Sequence, residues 1–197
     1  MLVLQLLPKL IPVYEEIFTK LKSLGVEWIQ LDEPLLACDL TEKQRREYVN
    51  TYDAFKEQNF CGLKVFLATY FEGKKIIVIP STSQADPCIL GLLDNLDLAV
   101  NLPVDVLHID AVACSEQVSQ VVTAVKPKYN LKLSLGLVEG RNIWRTNLAN
   151  TIQVATSAVK ELGSERVVIG TSCSLLHSPV TLAKGLYRIS NGICVYI

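Results

Sequence analysis

The chain is short of the residues that do most metal and acid–base chemistry. It holds two histidines in 197 residues, His108 and His177, and a single methionine. Its six cysteines stand at 38, 61, 88, 114, 173 and 194 with no C-x-x-C pair among them, which excludes a zinc ribbon and a thioredoxin motif. Thiols scattered in this way fit a reducing cytoplasm better than a disulfide framework. Net charge is only −1, so nothing electrostatic points to a nucleic acid or a membrane surface. The apolar start, Met1 to Leu7, lacks a cationic residue and a small-residue cleavage site, and it is too short to span a bilayer. With no targeting signal, a cytoplasmic location is expected. A phosphate loop is also missing: Gly136-Leu137-Val138-Glu139-Gly140 has neither the G-x-G-x-x-G nor the P-loop spacing.

What is present is a core. Half of the residues are hydrophobic and a fifth are charged, enough for one domain or a large piece of one. Pro8 to Leu24 has the helical period, with Leu10, Tyr14, Ile17, Leu21 and Leu24 on one stripe and Gly25 ending it. Val26 to Leu31 reads as a strand. Thr41 is placed to cap a helix over Glu42 to Phe55. Leu63 to Phe71 is a second strand, Ile76 to Ile79 a short further candidate, and 80–87 a polar loop. Helices are expected at Leu92 to Val100, at Ser115 to Val125 with Ser115 as cap, and from Thr146 or Asn147 to Leu162. Strands are expected at Val104 to Ile109, Leu131 to Val138 and Arg166 to Gly170. Gly185 to Ile197 shows no clear period. Alternation of this kind implies an α/β fold with a parallel sheet buried on both faces. A doubly wound sheet and part of a (β/α)8 barrel both satisfy it, and a complete barrel needs about 250 residues.

The strands share one peculiarity: they run into polar groups. The first ends in Asp32-Glu33, the third at Asp110, the fourth at Glu139-Gly140-Arg141-Asn142 and the fifth at Thr171-Ser172-Cys173. Ligand sites of α/β folds lie at that end of the sheet. Asp32 and Glu33 could bind an amine or work as an acid/base pair; otherwise Asp32 caps a loop and Glu33 pairs with an arginine. Arg141 could clamp a carboxylate or phosphate, or be tied to Glu33, Asp110 or Glu139 across the rim, the preferred reading. Asp110, Glu139 and Asn142 are candidates for substrate contacts. Cys173, four residues before His177, suggests a thiolate or a metal pair, yet zinc wants three or four good ligands, and no metal site is expected. His108 reads as a hydrogen-bonded core residue, and Trp144 as packing.

Four segments, Leu6 to Tyr14, Trp28 to Pro34, Gly140 to Trp144 and Thr171 to His177, closely resemble the N-terminal domain of cobalamin-independent methionine synthases. The likeness runs in order from about Leu6 to Val180. It implies about the last five βα units of a (β/α)8 TIM-type barrel, with residues 1–182 as a partial N-terminal barrel domain. It also implies a family activity, methyl transfer from 5-methyltetrahydropteroyl-polyglutamate to homocysteine to form methionine. In that family zinc sits in the C-terminal barrel on a His-x-Cys, a Glu and a Cys, and it activates the homocysteine thiol. The strand here that corresponds to His-x-Cys reads Leu67-Ala68-Thr69-Tyr70-Phe71 and holds no ligand. The resemblance therefore implies a chain inactive by itself, with folate and homocysteine as partners of the full-length family protein. Missing barrel strands and the catalytic domain would be its packing partners, leaving two open sheet edges and an apolar interior. Alternatives are a non-catalytic scaffold paired with a separate catalytic barrel, and an independent enzyme using Asp32, Glu33 and Arg141. Residues 74–90 read as an insertion and 183–197 as a divergent tail, both with the character of retained introns.

Overall fold

The protein is described by a computed structural model covering residues 3–70, 92–176, 178, 187–190 and 193–196. Its centre is a sheet of five parallel strands: β1 (Trp28–Asp32), β2 (Lys64–Ala68), β3 (Val106–Asp110), β4 (Lys132–Val138) and β5 (Val167–Thr171). They lie side by side in chain order, without the reversal that a doubly wound sheet needs. Among the described residues the sheet is open, with β1 and β5 as its edges. Five α-helices among the described residues flank the sheet, α1 (Leu7–Ser23) ahead of β1 and, in the connections, α2 (Glu42–Glu57), α3 (Leu96–Asn101), α4 (Gln117–Val125) and α5 (Leu148–Leu162). The expected strand at Ile76 to Ile79, the segment 74–90 and His177 lie outside the described residues.

Side chains alternate along each strand, and one face meets the helices. Val65, Leu67, Leu107, Ile109, Leu133 and Leu135 form its centre, all fully buried. Val118, Val121, Val122 and Val125 of α4 pack onto it, as their spacing predicts. Tyr52, Phe55, Phe60 and Phe18 add an aromatic cluster, with ring centroids from 5.3 Å (Phe18–Phe55) to 6.4 Å (Tyr52–Phe60). The opposite face carries Gln30, Phe66, His108 and Ser134 and is open to a cavity. Burial on both faces therefore holds for β3 and the middle of β4 but fails at the edge strands β1 and β5. The cavity-lining face is also less apolar than expected, because Gln30, His108 and Ser134 lie on it.

Three other expectations need correction. In α1 only Leu21 of the expected stripe packs on the core, together with Phe18 and Ile11; Leu10, Tyr14 and Ile17 are 43%, 44% and 47% exposed, and Leu24 is exposed too. Contacts reach α1 from α2 and the 59–62 turn, so only a narrow band of the helix is covered. Ser115 does not cap α4: the residue before the helix is Glu116 in helical conformation. Beyond Gly185 there is an antiparallel pair, β6 (Tyr187–Ser190) and β7 (Ile193–Tyr196). The overlooked signal is Asn191-Gly192 between two β-rich runs, a common two-residue hairpin sequence. Thr41, in contrast, caps α2 as expected, with Gln44 completing a capping box. Asn147 caps α5, its side chain accepting from Asn150 N at 3.3 Å. Cys38, Cys61 and Cys173 are free thiols, whereas Cys114 is disulfide-bonded, so the thiols are not all unpaired.

Arg166, just ahead of β5, ties the sheet to α4. Its guanidinium donates to the carbonyls of Val125 (2.7 Å), Lys126 (3.2 Å), Lys128 (2.8 Å) and Leu131 (3.1 Å). These include the Val125 carbonyl at the C-terminal end of α4, which also accepts from Lys128 N at 2.9 Å, so the guanidinium adds a second donor where the helix runs out of its own. Arg166→Ala is expected to cost about 1–3 kcal/mol in urea unfolding. Arg166→Lys should recover only part, since an ammonium cannot reach all of these carbonyls.

Candidate functional site

Parallel register brings the strand ends to one rim. Asp32 pairs with Ala68, Ala68 with His108, Asp110 with Gly136 and Val138 with Thr171. Asp32 and Glu33, being adjacent, part company there. Asp32 stays with the open face, accepting from Gln30 Nε2 at 2.7 Å and Tyr70 Oη at 3.0 Å. Glu33 turns to the helix side and accepts from Tyr48 Oη at 2.9 Å and Tyr52 Oη at 3.0 Å. Burial pushes the Glu33 carboxyl above its ordinary range; the two phenols oppose the rise and the Asp32 charge adds to it. Burial, followed by the bond to Asp32, pushes Tyr70 up to about 12. Neither the loop-cap reading of Asp32 nor the arginine partner for Glu33 describes these contacts.

Arg141 is the hub of the rest. Its Nη2 donates to Asp110 Oδ2, and its Nη1 to Glu139 Oε1 at 3.1 Å and Ser172 Oγ at 3.4 Å. Asp110 is 3% exposed and also accepts from Val112 N at 3.0 Å and Ala113 N at 2.8 Å. Glu139 accepts in addition from Arg141 N at 2.9 Å and Ser172 Oγ at 3.1 Å. Burial works against the ionised Glu139, but these donors and the Arg141 charge outweigh it and hold the carboxyl low. Of the rim partners foreseen for Arg141, Asp110 and Glu139 are the two it takes. Asn142 closes its own turn, Oδ1 accepting from Trp144 N at 2.9 Å. Trp144 is half exposed and does not pack in the core.

Two glycines let β4 and β5 come this close. A Cβ on Gly140 would lie 2.8 Å from Cys173 O and 3.0 Å from its Sγ. One on Gly136 would lie 2.7 Å from Ser172 Cα. Cys173 is thus buried under the Gly140 turn, its thiol 3.6 Å from Ser174 O.

Below the rim the open face holds a cavity of about 440 Å³ bordered by Gln30, Phe66, Tyr70, His108, Ser134 and Cys173. His108 is buried, with Nδ1 2.9 Å from Ser134 Oγ, the hydrogen-bonded state expected for it. Burial lowers its pKa against the opposing pull of Ser172, Asp110 and Asp32. A neutral imidazole, a phenol, an amide and a hydroxyl suit a polar, uncharged group better than an ion. The rim donors do not suit zinc: the Asp110 carboxylate is neutralised by Arg141, whose guanidinium repels a cation. Among the described residues, no group of three His, Cys, Asp or Glu side chains is placed to hold a metal. Tyr48, Tyr52, Tyr70 and Gln30 were not singled out in the sequence, and Ser172 only as part of the strand end Thr171-Ser172-Cys173. Only Tyr48 and Tyr52, one helical turn apart on α2, left a signal there.

The pattern of the family described as cobalamin-independent synthase, N-terminal domain, matches residues 2–84 and 90–163. The chain belongs to this family. A 5-methyltetrahydropteroyltriglutamate–homocysteine methyltransferase of Cytophaga hutchinsonii is 41% identical over 179 residues, 91% of this chain and 21% of that protein. A protein of the same name from Rhodopseudomonas palustris is 42% identical over 180 residues, 91% of this chain and 20% of its own length. The chain thus spans about a fifth of the length of these relatives. A Listeria monocytogenes crystal structure described as a vitamin-B12 independent methionine synthase superposes with a TM-score of 0.59 at 15% identity. That match covers 87% of this chain and 49% of that one, a likeness of fold.

Two measurements test the site of this synthase-family domain. Arg141→Ala strands a buried carboxylate, and an unfolding loss of about 2–3 kcal/mol is expected, moderated by the two backbone donors that Asp110 keeps. Glu33 titrates higher folded than unfolded, so its contribution is complete below the ordinary value and is lost as pH rises through the folded one. The Tm of the parent relative to Glu33→Gln should therefore rise as pH is lowered from about 7 to about 4. An unchanged gap would contradict the assignment.

Proposed function

We propose that the chain is the later part of the N-terminal barrel of a cobalamin-independent methionine synthase, an arc of about five βα units. The observation that carries this reading is identity of 41–42% over 91% of the chain with proteins named as homocysteine methyltransferases. Five parallel strands in chain order, with polar residues gathered at one end, support the barrel arc. Residues 1–182 form this unit, with 74–90 as an insertion and 183–197 as a divergent tail; the family match itself runs through 74–84 and breaks only at 85–89. The reaction of the whole protein is methyl transfer from 5-methyltetrahydropteroyl-polyglutamate to homocysteine in the cytoplasm, with zinc supplied by the C-terminal barrel. Zinc bound in that barrel would lower the pKa of the homocysteine thiol and so supply a nucleophile. The rim residues here do not take part in that step. Arg141 spends its donors on Asp110, Glu139 and Ser172, and neither histidine lies in a His-x-Cys pair. Their work is to hold β3, β4 and β5 in one arrangement.

A second role, as a scaffold for a separate catalytic barrel, is favoured by the unpaired edges and the apolar flanks beside them. Leu10, Val13 and Ile17 are exposed on α1, and Leu148 and Ile152 on α5. The purified chain, given zinc, homocysteine and 5-methyltetrahydropteroyltriglutamate, should form no methionine above the uncatalysed background. Methionine formed at a rate proportional to protein concentration would overturn the proposal. Mixing with a separately expressed catalytic barrel tests the scaffold role, which predicts a saturable complex of equal stoichiometry.

A further inference from the structure

The helix side of the rim holds a second cavity, of about 470 Å³, within the size range of small-molecule sites. It lies between the start of the chain, the 34–37 turn and α2. Leu4, Leu7, Leu35 and Leu40 make its walls apolar, and the Glu33 carboxylate reaches it from the end of β1. No lysine, arginine or histidine among the described residues borders it, and its other charged neighbour there is Glu47. Among the described residues, no basic side chain is ion-paired with Glu33.

We propose that this cavity binds a small organic cation: a primary ammonium on a short apolar stem, seated on Glu33 between Tyr48 and Tyr52. Charge complementarity selects the ligand. Among the described residues this carboxylate in apolar surroundings has no counter-ion, and an arriving ammonium supplies one while its stem covers the leucines. The two phenols already orient the carboxylate, each donating to a different oxygen, so each oxygen keeps acceptor capacity for an N–H. Tyrosine rings beside the carboxylate add an attraction for cations that they lack for a neutral alcohol. Gln44 and Thr51 supply polar groups at the border without adding positive charge. An anion or a phosphate ester would meet two carboxylates and no donor of positive charge.

The test uses the purified chain with n-pentylammonium chloride as probe, 1-pentanol as its neutral counterpart and sodium chloride as the salt control. Calorimetric titration and 13C-labelled tyrosine spectra read binding. The expected result is saturable binding of pentylammonium that moves two tyrosine resonances, with pentanol weaker by about tenfold or more, the worth of one charge-assisted hydrogen bond. Glu33→Gln should lose the preference for the cation. Should that variant fail to fold, Leu35→Arg serves instead. Leu35 is 53% exposed and tolerant of change, and the new guanidinium would occupy the carboxylate and abolish binding. Equal affinity for pentanol and pentylammonium, binding undiminished in Leu35→Arg, or no saturable response overturns the proposal.

Discussion

Parallel pairing of the five strands in chain order governs everything else in the molecule. Because each strand enters the sheet from the same side, every strand–helix junction opens at the same end. Residues far apart in sequence, Asp110, Glu139, Arg141 and Ser172, meet there without any loop having to reach for another. The close approach of β4 and β5 sharpens the effect, since Gly136 and Gly140 leave no Cβ between the two backbones. The rim is therefore a product of the ladder, and its chemistry depends on which side chains the ladder happens to deliver.

What it delivers is a set of charges that satisfy one another. Arg141 faces two carboxylates, Ser172 bridges Gly140 and Glu139, and Asp110 is additionally held by two backbone amides. Such a cluster has little left with which to bind substrate. Glu33 differs. Among the described residues its hydrogen bonds come from neutral phenols and no cation pairs with it, so its carboxylate is oriented by dipoles alone. Two acids adjacent in sequence have thus been sent to opposite faces and to opposite electrostatic situations.

Much of this could be read from the residues. The five strands, the caps at Thr41 and Asn147 and the inward valines of α4 follow from local period and side-chain chemistry, and the structure has them where expected. Arg141 could be narrowed to three acids because a rim arginine needs a counter-charge; choosing Asp110 and Glu139 over Glu33 required knowing which way each strand end faces. The apolar period of α1 was real, but periodicity cannot say which of two apolar stripes finds a neighbour, and Phe18 rather than Tyr14 is the covered residue. Tyr70 was illegible because its role arises from a contact 38 residues away in sequence; Ser172 was marked by its strand end, but its bond to Glu139, 33 residues away, was not.

The open sheet also has a symmetry consequence. Its two edges are different surfaces, β1 on one side and β5 on the other, yet both belong to strands running the same way. Any contact that joins them edge to edge is head-to-tail, and it regenerates a free β1 and a free β5 at the ends of the assembly. Such a contact has no natural dimer as its stopping point: it ends only if the rotation per copy closes a ring, and otherwise it propagates as a fibre.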